Sequence, residues 1–436
     1  MTERIIIDFD DEKEKPKKAN SDKKVPEKER IVIDLSEELN KIDIEHIEET
    51  YEDQILRQKV DCFYKGGSGL NNFYESSLNF PEGIEKGFSQ SFRINLKDDF
   101  FNSVLFNNRY IILSSCTGHV YFTDRFTGYT EHKAHIKEQV FEKTGLVYSN
   151  CVYINSLKKI FRYGKTDEKN FDSQEIHETG EGVFIWSNLN RYKNLILFTD
   201  YDPSLQTAGL NLLNINNTEN DGNEKITENF FRFEFKVSRY ISDRICIAGK
   251  TAFILTDSKL LIFDIEKRTG VMTELNLKTD ENSFLFYSGN RIYITTIDYE
   301  LYYTDLPVNT GNFKTTGIKS NYINSIGGFG DNIFTGTMEG WKLFKSTGLK
   351  IYEFEDEYEN RIESIGRNIL VISKSNKIVF SNLNRFQEAE GYVISSDELN
   401  ESEFINSAVI SGNEIFILTR KGILESFTND KLNIHI

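Results

Sequence analysis

A short hairpin pattern recurs eight times along the chain, and this repetition constrains the fold more than any other feature. Each copy has a Gly or Asn turn, an apolar strand, a short polar turn and a second strand that ends in an Asp, Asn or Gly corner, at a spacing of roughly 40 residues. Two of the copies read GKTAFILTDSKLLIFDIEKRTG and GNEIFILTRKGILESFTND. The copies begin at Asn107, Gly145, Tyr192, Gly249, Gly289, Gly330, Gly366 and Gly412. Such a succession of hairpins predicts a repeat protein built from β-sheet.

Small antiparallel sheets of this kind bury their faces only by packing against copies of themselves. The strand order favours a β-propeller, in which an inner strand near a shared axis is followed by an outward partner, over a β-solenoid, whose coils are shorter and mostly parallel. We therefore expect an all-β fold, with a single propeller of seven or eight blades in residues 66–436. Stretches such as FFRFEFKVS at Phe230 and SFLFYSG at Ser283 supply the remaining strands, and residues 73–96 supply a strand that closes the ring.

Two segments carry a more specific corner pattern, VYFTDRFTGY from Val120 and LLIFDIEKRTG from Leu260. Both resemble the strand-Asp-x-x-Thr-Gly corner of quinoprotein-like blades. Residues 90–430 as a whole resemble WD-repeat, Kelch and quinoprotein-type blades in architecture, although the Trp-Asp pair of WD repeats is absent after the Gly-His at Gly118. The resemblance implies that Asp and Thr side chains cap the corner and that Gly supplies a positive φ. It implies a blade and no cofactor.

The region before the repeats has a different composition. Residues 1–42 are rich in charge, contain Pro16 and Pro26, and have few large apolar groups outside two short phrases, so we expect a disordered tail. From Ser36 onward, apolar residues recur at the spacing of an amphipathic helix, which predicts a short acidic helix and linker within residues 43–65. This helix either docks on the propeller or binds a partner.

The tail contains one apolar-acidic phrase twice, as ERIIIDFDDE from Glu3 and ERIVIDLSEE from Glu29. Such a segment can add a strand to the sheet edge of another protein, where backbone hydrogen bonds supply affinity and the acids meet a basic rim. Two copies raise the apparent affinity for a partner with more than one site. The predicted partner-binding residues are Ile5, Ile6, Ile7, Asp8, Phe9, Ile31, Val32, Ile33, Asp34 and Leu35.

The string VIDLSEE from Val32 resembles a SUMO-interacting motif, and IIIDFDDE is similar apart from Phe9. The resemblance implies a SUMO-like protein as partner, with residues 5–9 and 31–35 in its groove and with Ser36 as a phosphorylation point that adds negative charge. Another protein's sheet edge is an alternative partner, as is an edge of the chain's own propeller. Self-assembly, in which the tail of one molecule binds the propeller of another, is a further alternative.

Charge, hydropathy and cysteine content argue against several classes of function and of cellular location. A net charge of −16 and a pI near 5.1 argue against general nucleic-acid binding, which rests on clustered Lys and Arg. No apolar run approaches the ~18 residues that cross a bilayer, and charges lie inside the first apolar run, so we expect neither a membrane span nor a secretory signal. The four scattered cysteines are typical of core thiols in an intracellular compartment, either cytoplasmic or nuclear.

The sequence contains no recognised catalytic motif. His132 and His135 form the one close histidine pair but have no Cys or carboxylate partner at a metal-ligand spacing, and residues 217–228 imitate a calcium loop only in part. Trp341 is the better of two tryptophan candidates for the propeller surface, although a core position is favoured over a surface position. We predict no catalytic residue, metal or cofactor, and an intracellular protein-interaction platform. The rival is a propeller enzyme or ligand sensor with converging charged side chains at the central channel.

Overall fold

The computed structural model describes residues 62–63, 69–70, 89–140, 145–148, 151–165, 171–215, 230–308, 312–320, 322–355, 359–366, 369–374, 377–383, 392–394, 405–412 and 414–428. All regular secondary structure in these residues is β-strand, arranged in eight antiparallel sheets. Each sheet is one blade of an eight-bladed β-propeller, so the prediction of an all-β propeller is confirmed and the blade number is eight. The tail of residues 1–42 and the helix expected in residues 43–65 lie outside the described residues, apart from Cys62 and Phe63.

The first four blades contain the following strands. Two strands precede blade 1 in the chain: β1 (Cys62–Phe63) and β2 (Ser89–Asn95). Blade 1 consists of β3 (Leu105–Phe106), β4 (Tyr110–Ser114), β5 (His119–Asp124) and β6 (Thr130–His135). Blade 2 consists of β7 (Leu146–Tyr148), β8 (Cys151–Asn155), β9 (Lys159–Lys165) and β10 (Phe171–Glu178). Blade 3 consists of β11 (Phe184–Ile185), β12 (Asn190–Tyr192), β13 (Leu195–Asp202), β14 (Thr207–Asn214) and β15 (Phe230–Lys236), and blade 4 of β16 (Ile241–Ala248), β17 (Thr251–Thr256), β18 (Lys259–Asp264) and β19 (Thr269–Glu274).

The remaining blades repeat the same order. Blade 5 consists of β20 (Leu285–Ser288), β21 (Arg291–Thr295), β22 (Glu300–Asp305) and β23 (Lys314–Lys319). Blade 6 consists of β24 (Ser325–Phe329), β25 (Asn332–Thr337), β26 (Gly340–Lys345) and β27 (Lys350–Glu355). Blade 7 consists of β28 (Asn360–Ile365), β29 (Ile369–Lys374), β30 (Lys377–Asn382) and β31 (Tyr392–Ile394). Blade 8 consists of β32 (Ile405–Ser411), β33 (Glu414–Thr419), β34 (Ile423–Thr428) and, from the other end of the chain, β2.

The first strand of each blade is innermost. First strands of successive blades contact one another, as β16 contacts β20 and β20 contacts β24. Hydrogen bonds cross between them, for example from Asn190 Nδ2 of β12 to the Ile245 carbonyl of β16 at 2.7 Å. Fourth strands such as β6 alternate between half-buried and exposed side chains, because one of their faces meets solvent.

The eight hairpins read from the sequence are the second and third strands of the eight blades. They are not the innermost pair, as the sequence analysis had proposed, because a further strand precedes each hairpin at the axis. Both faces of these middle strands are covered by neighbouring blades, so their apolar runs are nearly continuous, as in β4 and β33. The short first strands carry a weaker signal.

The ring closes through pairing between the two ends of the chain. Strand β2 pairs antiparallel with β34, from Ser89 opposite Thr428 to Asn95 opposite Ile423. This confirms the closing strand expected in residues 73–96. Gln90 Nε2 donates to Glu425 Oε1 of β34 at 3.1 Å, so side chains reinforce the backbone pairing.

The structure confirms the predicted corner at the first of the two motifs and not at the second. At the first, Asp124 Oδ1 accepts hydrogen bonds from the backbone and hydroxyl groups of Thr127, both at 2.9 Å, and Gly128 has a φ of +73°, as the resemblance implied. At the second, the positive φ of 57° belongs to Arg268, whereas Gly270 lies within β19. The second Thr-Gly pair is therefore part of a strand and not of the corner.

The strand order assigns every turn to one of two faces. In a four-stranded antiparallel meander, the turns after the first and third strands lie at one edge of the sheet. The turn between the second and third strands lies at the opposite edge, beside the connection to the next blade. We call the face with these turns and inter-blade connections the upper face, and the other the lower face.

Candidate functional site: the central channel and the upper face

The central channel contains a segment of the chain itself. Strand β1 pairs antiparallel with β7, the innermost strand of blade 2, with Cys62 opposite Val147 and Phe63 opposite Leu146. The sheet order places β1 on the axial side of β7, so blade 2 has a fifth strand within the channel. Cys62 is buried there.

The same segment reaches other blades a few residues later. The Gly69 carbonyl accepts a hydrogen bond from the Tyr287 amide of β20 at 2.8 Å, and the Cys246 thiol of β16 lies 3.5 Å from the same oxygen. Leu70 is buried in the apolar cluster of blades 4 and 5. The described parts of this channel segment, residues 62–63 and 69–70, therefore contact the inner strands of blades 2, 4 and 5.

Charged side chains on the inner strands make local ion pairs. Arg244 Nε lies 3.5 Å from Asp243 Oδ1 on β16, and Arg361 Nε lies 3.7 Å from Glu363 Oε1 on β28. Each of these pairs joins near neighbours on one strand. The part of the chain that the structure describes contains no group of three His, Cys, Asp or Glu side chains that could hold a metal ion.

Thiol labelling tests the channel segment. Complete burial raises the pKa of Cys246, and a protonated thiol is a poor nucleophile. We therefore expect Cys246 to be alkylated more slowly than the half-buried Cys151. The substitution Leu70→Asp places a carboxylate in the apolar contact and is expected to raise the alkylation rate of Cys246 by about tenfold or more. Mass spectrometry of peptides after timed alkylation measures the rate.

Leu205→Asp is the matched control, because Leu205 is 69% exposed. It should leave the Cys246 rate unchanged. Equal rates in the wild type and in Leu70→Asp would contradict the placement of residues 69–70, and a parallel rise at Cys151 would indicate general unfolding instead.

The upper face carries most of the exposed large apolar side chains. Ten such side chains are exposed in the described residues, and six of them lie in upper-face turns or connections. These six are Phe101, Leu157, Leu205, Ile297, Tyr322 and Met338. Four of them occupy the turn between the second and third strands of blades 2, 3, 5 and 6. An exposed apolar side chain therefore recurs at the equivalent turn of four blades, always on the upper face.

A continuous part of the upper face runs from blade 4 to blade 6, and we call it the acidic rim. It comprises residues 257–258, 275–284, 296–299, 322–324, 338–339 and 359. Its segments touch in order: Leu275 N donates to Ser258 O at 2.7 Å, Ile297 N donates to Lys278 O at 3.1 Å, the rings of Tyr299 and Tyr322 lie 5.2 Å apart, and Asn324 Nδ2 donates to Glu359 Oε1 at 2.8 Å. Asn324 N also donates to the carbonyl of Gly336, two residues before Met338, at 3.1 Å. These contacts make the rim one surface.

The acidic rim is strongly negative. Its carboxylates are Asp257, Asp280, Glu281, Asp298, Glu339 and Glu359, and its one base is Lys278. The adjoining connection of residues 237–240 adds Arg239. Across the ring, residues 96–104, 136–140, 156–158 and 420–422 hold five bases and three acids. The upper face is therefore polarised, with the negative charge beside Ile297, Tyr322 and Met338.

The opposite side of the upper face contains a hydrogen-bonded network at Asp98. Tyr121 donates to Asp98 Oδ2 at 2.8 Å, and His119 Nδ1 lies 3.0 Å from the same oxygen. Burial opposes ionisation of Asp98, but hydrogen bonds, chiefly from Tyr121, hold the pKa of its carboxyl below the usual value. The network joins the connection after β2 to blade 1, and its contacts are those of a structural network.

The predicted histidine pair does not form a site. His132 and His135 lie on β6, where residues three apart face opposite sides of the strand. The His132 ring stacks on Phe171 at 4.7 Å, and burial lowers its pKa, whereas His135 stacks beside His119 at 4.7 Å. Both histidines therefore belong to the outer strand of blade 1 and not to an exposed loop, which is the usual place for such a pair.

The other predicted sites have different outcomes. The possible surface position of Trp341 is wrong and the favoured core position is correct: its side chain is 3% exposed and packs on Tyr352 and Phe354, because β26 is a middle strand covered on both faces. The exposed residue is Met338, three positions earlier in the same hairpin. The two tail phrases, with Ile5–Phe9 and Ile31–Leu35, and the calcium-like loop of residues 217–228 lie outside the described residues.

Sequence reasoning missed the channel segment and the acidic rim. The dipeptides Ile297-Asp298 and Met338-Glu339 offered one signal for the rim, since each places an apolar and an acidic residue in a hairpin turn. The channel segment, residues 62–63 and 69–70, offered no comparable pattern, because contacts with three distant blades leave no local periodicity.

Comparison with known proteins identifies the fold but not a family. No protein-family model matches the chain, and no curated protein matches its sequence. Among solved structures, BamB from Moraxella catarrhalis is similar, with a TM-score of 0.54 and 12% identity over 78% of this chain and 99% of BamB. The computationally designed Ika8 protein is similar with a TM-score of 0.56 and 12% identity over 77% of this chain and 97% of Ika8. At this identity the likeness shows the propeller fold alone. None of the described residues forms a helix long and apolar enough to cross a membrane.

Proposed function

We propose that this protein is a protein-interaction platform whose propeller presents its upper face to a protein partner. One observation carries the proposal: six of the ten exposed large apolar side chains lie in upper-face turns and connections. Apolar groups exposed together in this way lower the free energy of a complex that covers them. The ring holds the turns on a rigid frame, so a partner meets a preformed surface.

The tail is the second part of the proposed platform. The phrases ERIIIDFDDE and ERIVIDLSEE would each add a strand to a sheet edge of a partner, with a SUMO-like protein as one such partner. Two phrases in one tail raise the local concentration of the second once the first is bound. We place the protein inside the cell, in the cytoplasm or nucleus.

We propose a non-enzymatic role. The rival hypothesis, a channel enzyme or ligand sensor, needs converging charged groups and free access to the axis. The channel segment at Cys62 and Gly69 occupies space that a ligand would need, and the ion pairs at Asp243 and Glu363 are between neighbours on one strand. These observations favour the faces and the tail over the channel.

Affinity capture with four full-length or truncated baits tests the proposal. The baits are the whole chain, a chain that starts at Asp43, a chain with Ile5, Ile7, Ile31 and Ile33 changed to Ala, and a chain with Leu157 and Leu205 changed to Ser. We expect one partner to be lost equally from the second and third baits, because both remove the strand-adding side chains. We expect the fourth bait to retain that partner through the tail but to release it faster.

Other outcomes separate the parts of the proposal. Identical partners on the first three baits would contradict the role of the tail phrases. An unchanged dissociation rate for the fourth bait, measured with the purified partner, would contradict the role of the upper face. Loss of capture only when the channel is opened by Leu70→Asp would favour the channel hypothesis.

A further inference from the structure

The acidic rim has the composition of a surface for a basic, apolar peptide. The turn of blade 5 places Ile297, which is 41% exposed, directly before Asp298, and the turn of blade 6 places Met338, which is 51% exposed, directly before Glu339. Each turn therefore presents one apolar and one acidic side chain. Tyr322, 39% exposed, lies between the two turns and extends the apolar contact.

The carboxylates of the rim lack local counterions. Asp257, Glu281, Asp298 and Glu339 make no ion pair among the described residues, and Asp280 is held by its own turn through Ser283 at 3.1 Å. Several other carboxylates of the blades are paired, as Glu274 is with Lys259 and Glu353 is with Lys342. A cluster of like charges costs free energy that a cationic partner relieves.

We propose that the acidic rim binds a segment of a partner protein that is rich in Lys or Arg and carries apolar side chains at intervals. This inference rests on the proposed interaction function and names the chemistry of its upper-face partner. Charge complementarity selects this occupant over a second copy of the chain, whose net charge is −16. Charge complementarity also favours a basic segment over the acidic tail phrases, which would meet like charge at the rim.

The Met338 side chain suits such a partner, because a flexible thioether adapts to different apolar groups. The two turns belong to the neighbouring blades 5 and 6, so one segment that spans this boundary would contact both. The carboxylates then pair with basic side chains at the border of the contact, where they contribute mainly to the association rate and its salt dependence.

Fluorescence anisotropy with a defined probe tests the inference. The probe is a labelled amphipathic peptide of Leu and Lys long enough for four helical turns, ~14 residues, and its control is the same peptide with Glu in place of Lys. The full-length protein should bind the Lys peptide and not the Glu peptide. The double variant Asp298→Lys/Glu339→Lys should weaken binding of the Lys peptide by about tenfold or more. The double variant Ile297→Ser/Met338→Ser should weaken it by a similar factor at high salt, because screening of the charges leaves the apolar contact dominant.

The matched control changes the same number of charges away from the rim. The control variant is Glu178→Lys/Glu234→Lys, whose two positions lie on the outer strands β10 and β15 of blades 2 and 3. It should leave the affinity for the Lys peptide nearly unchanged. Equal weakening by the two charge variants would overturn the inference, because it would show attraction to net charge alone. A second apolar control, Leu157→Ser beside Lys158, should also have little effect.

Two further results would overturn the inference. One is absence of Lys-peptide binding by the wild type. The other is a dimer in sedimentation velocity that Ile297→Ser/Met338→Ser dissociates, since this would assign the rim to a second copy. In either case a partner captured through the tail or through Leu157 and Leu205 would leave the proposed function intact, so the two failures are distinguishable.

Discussion

Replacing Arg125 by Ala is expected to lower the free energy of unfolding by about 3–5 kcal/mol. Arg125 lies in the corner of blade 1, directly after Asp124, and is 2% exposed because its side chain reaches blade 8. Its Nη1 donates to the Asn107 carbonyl at 2.7 Å, and its Nη2 donates to Ser411 Oγ at 2.8 Å and to the buried Glu414 carboxylate. Burial raises the pKa of Glu414, and the Arg125 guanidinium opposes that rise.

The expected effect is large because the substitution leaves Glu414 buried without its partner. The double variant Arg125→Met/Glu414→Leu removes both charges and keeps the volume, so it should recover most of the lost stability. Urea denaturation of the wild type, Arg125→Met, Glu414→Leu and the double variant gives a double-mutant cycle. A loss below about 1 kcal/mol for Arg125→Ala would mean that the pair is solvated and that blades 1 and 8 are held by other contacts.

Removal of β2 is expected to abolish cooperative folding. A chain that starts at Leu96 lacks the six residues that pair with β34. Their backbone hydrogen bonds contribute about 0.5–1.5 kcal/mol each, and the packing of Phe92 and Ile94 adds to them, which together approach the ~5–15 kcal/mol stability of a typical domain. Glu425, which is 2% exposed, also loses Arg93 and Gln90.

A chain that starts at Phe73 is the control, since it retains β2 and lacks the channel segment. It should unfold cooperatively, whereas the chain from Leu96 should aggregate through the open edge of β34. Circular dichroism during thermal unfolding and size-exclusion chromatography compare the two. Equal behaviour of both chains would show that closure through β2 is dispensable.

Particular residues show how far sequence reasoning reached. The hairpins from Asn107 to Gly412 were found because apolar runs of five or six residues between turn residues are local features. The closing strand was expected in residues 73–96 because a ring of antiparallel sheets leaves an edge that needs a partner. The corner at Asp124 was also anticipated, since its hydrogen bonds link residues three positions apart.

Exposure was predicted less well. Trp341 and Met338 are three residues apart in one hairpin, and the sequence offered Trp341 as a possible surface residue although Met338 is the exposed one. Aromatic character indicates burial or contact equally well, and the deciding factor is the cover that blade 7 and the strands of blade 6 provide. The acidic rim was missed for a similar reason. Its six carboxylates come from turns that are distant in sequence, and these turns meet only when neighbouring blades pack.

The sequence by itself determined the propeller, its repeated strands and the presence of a chemically distinct tail, because strand periodicity and turn residues act over a few positions. Only the tertiary structure decided that the ring has eight blades, that residues 62–63 and 69–70 contact the innermost strands, that Arg125 joins blade 1 to blade 8, and that apolar and acidic turns share one part of the upper face. Each of these contacts joins residues separated by many tens or hundreds of positions. Their free energy depends on burial and charge in the assembled ring, which no local pattern encodes.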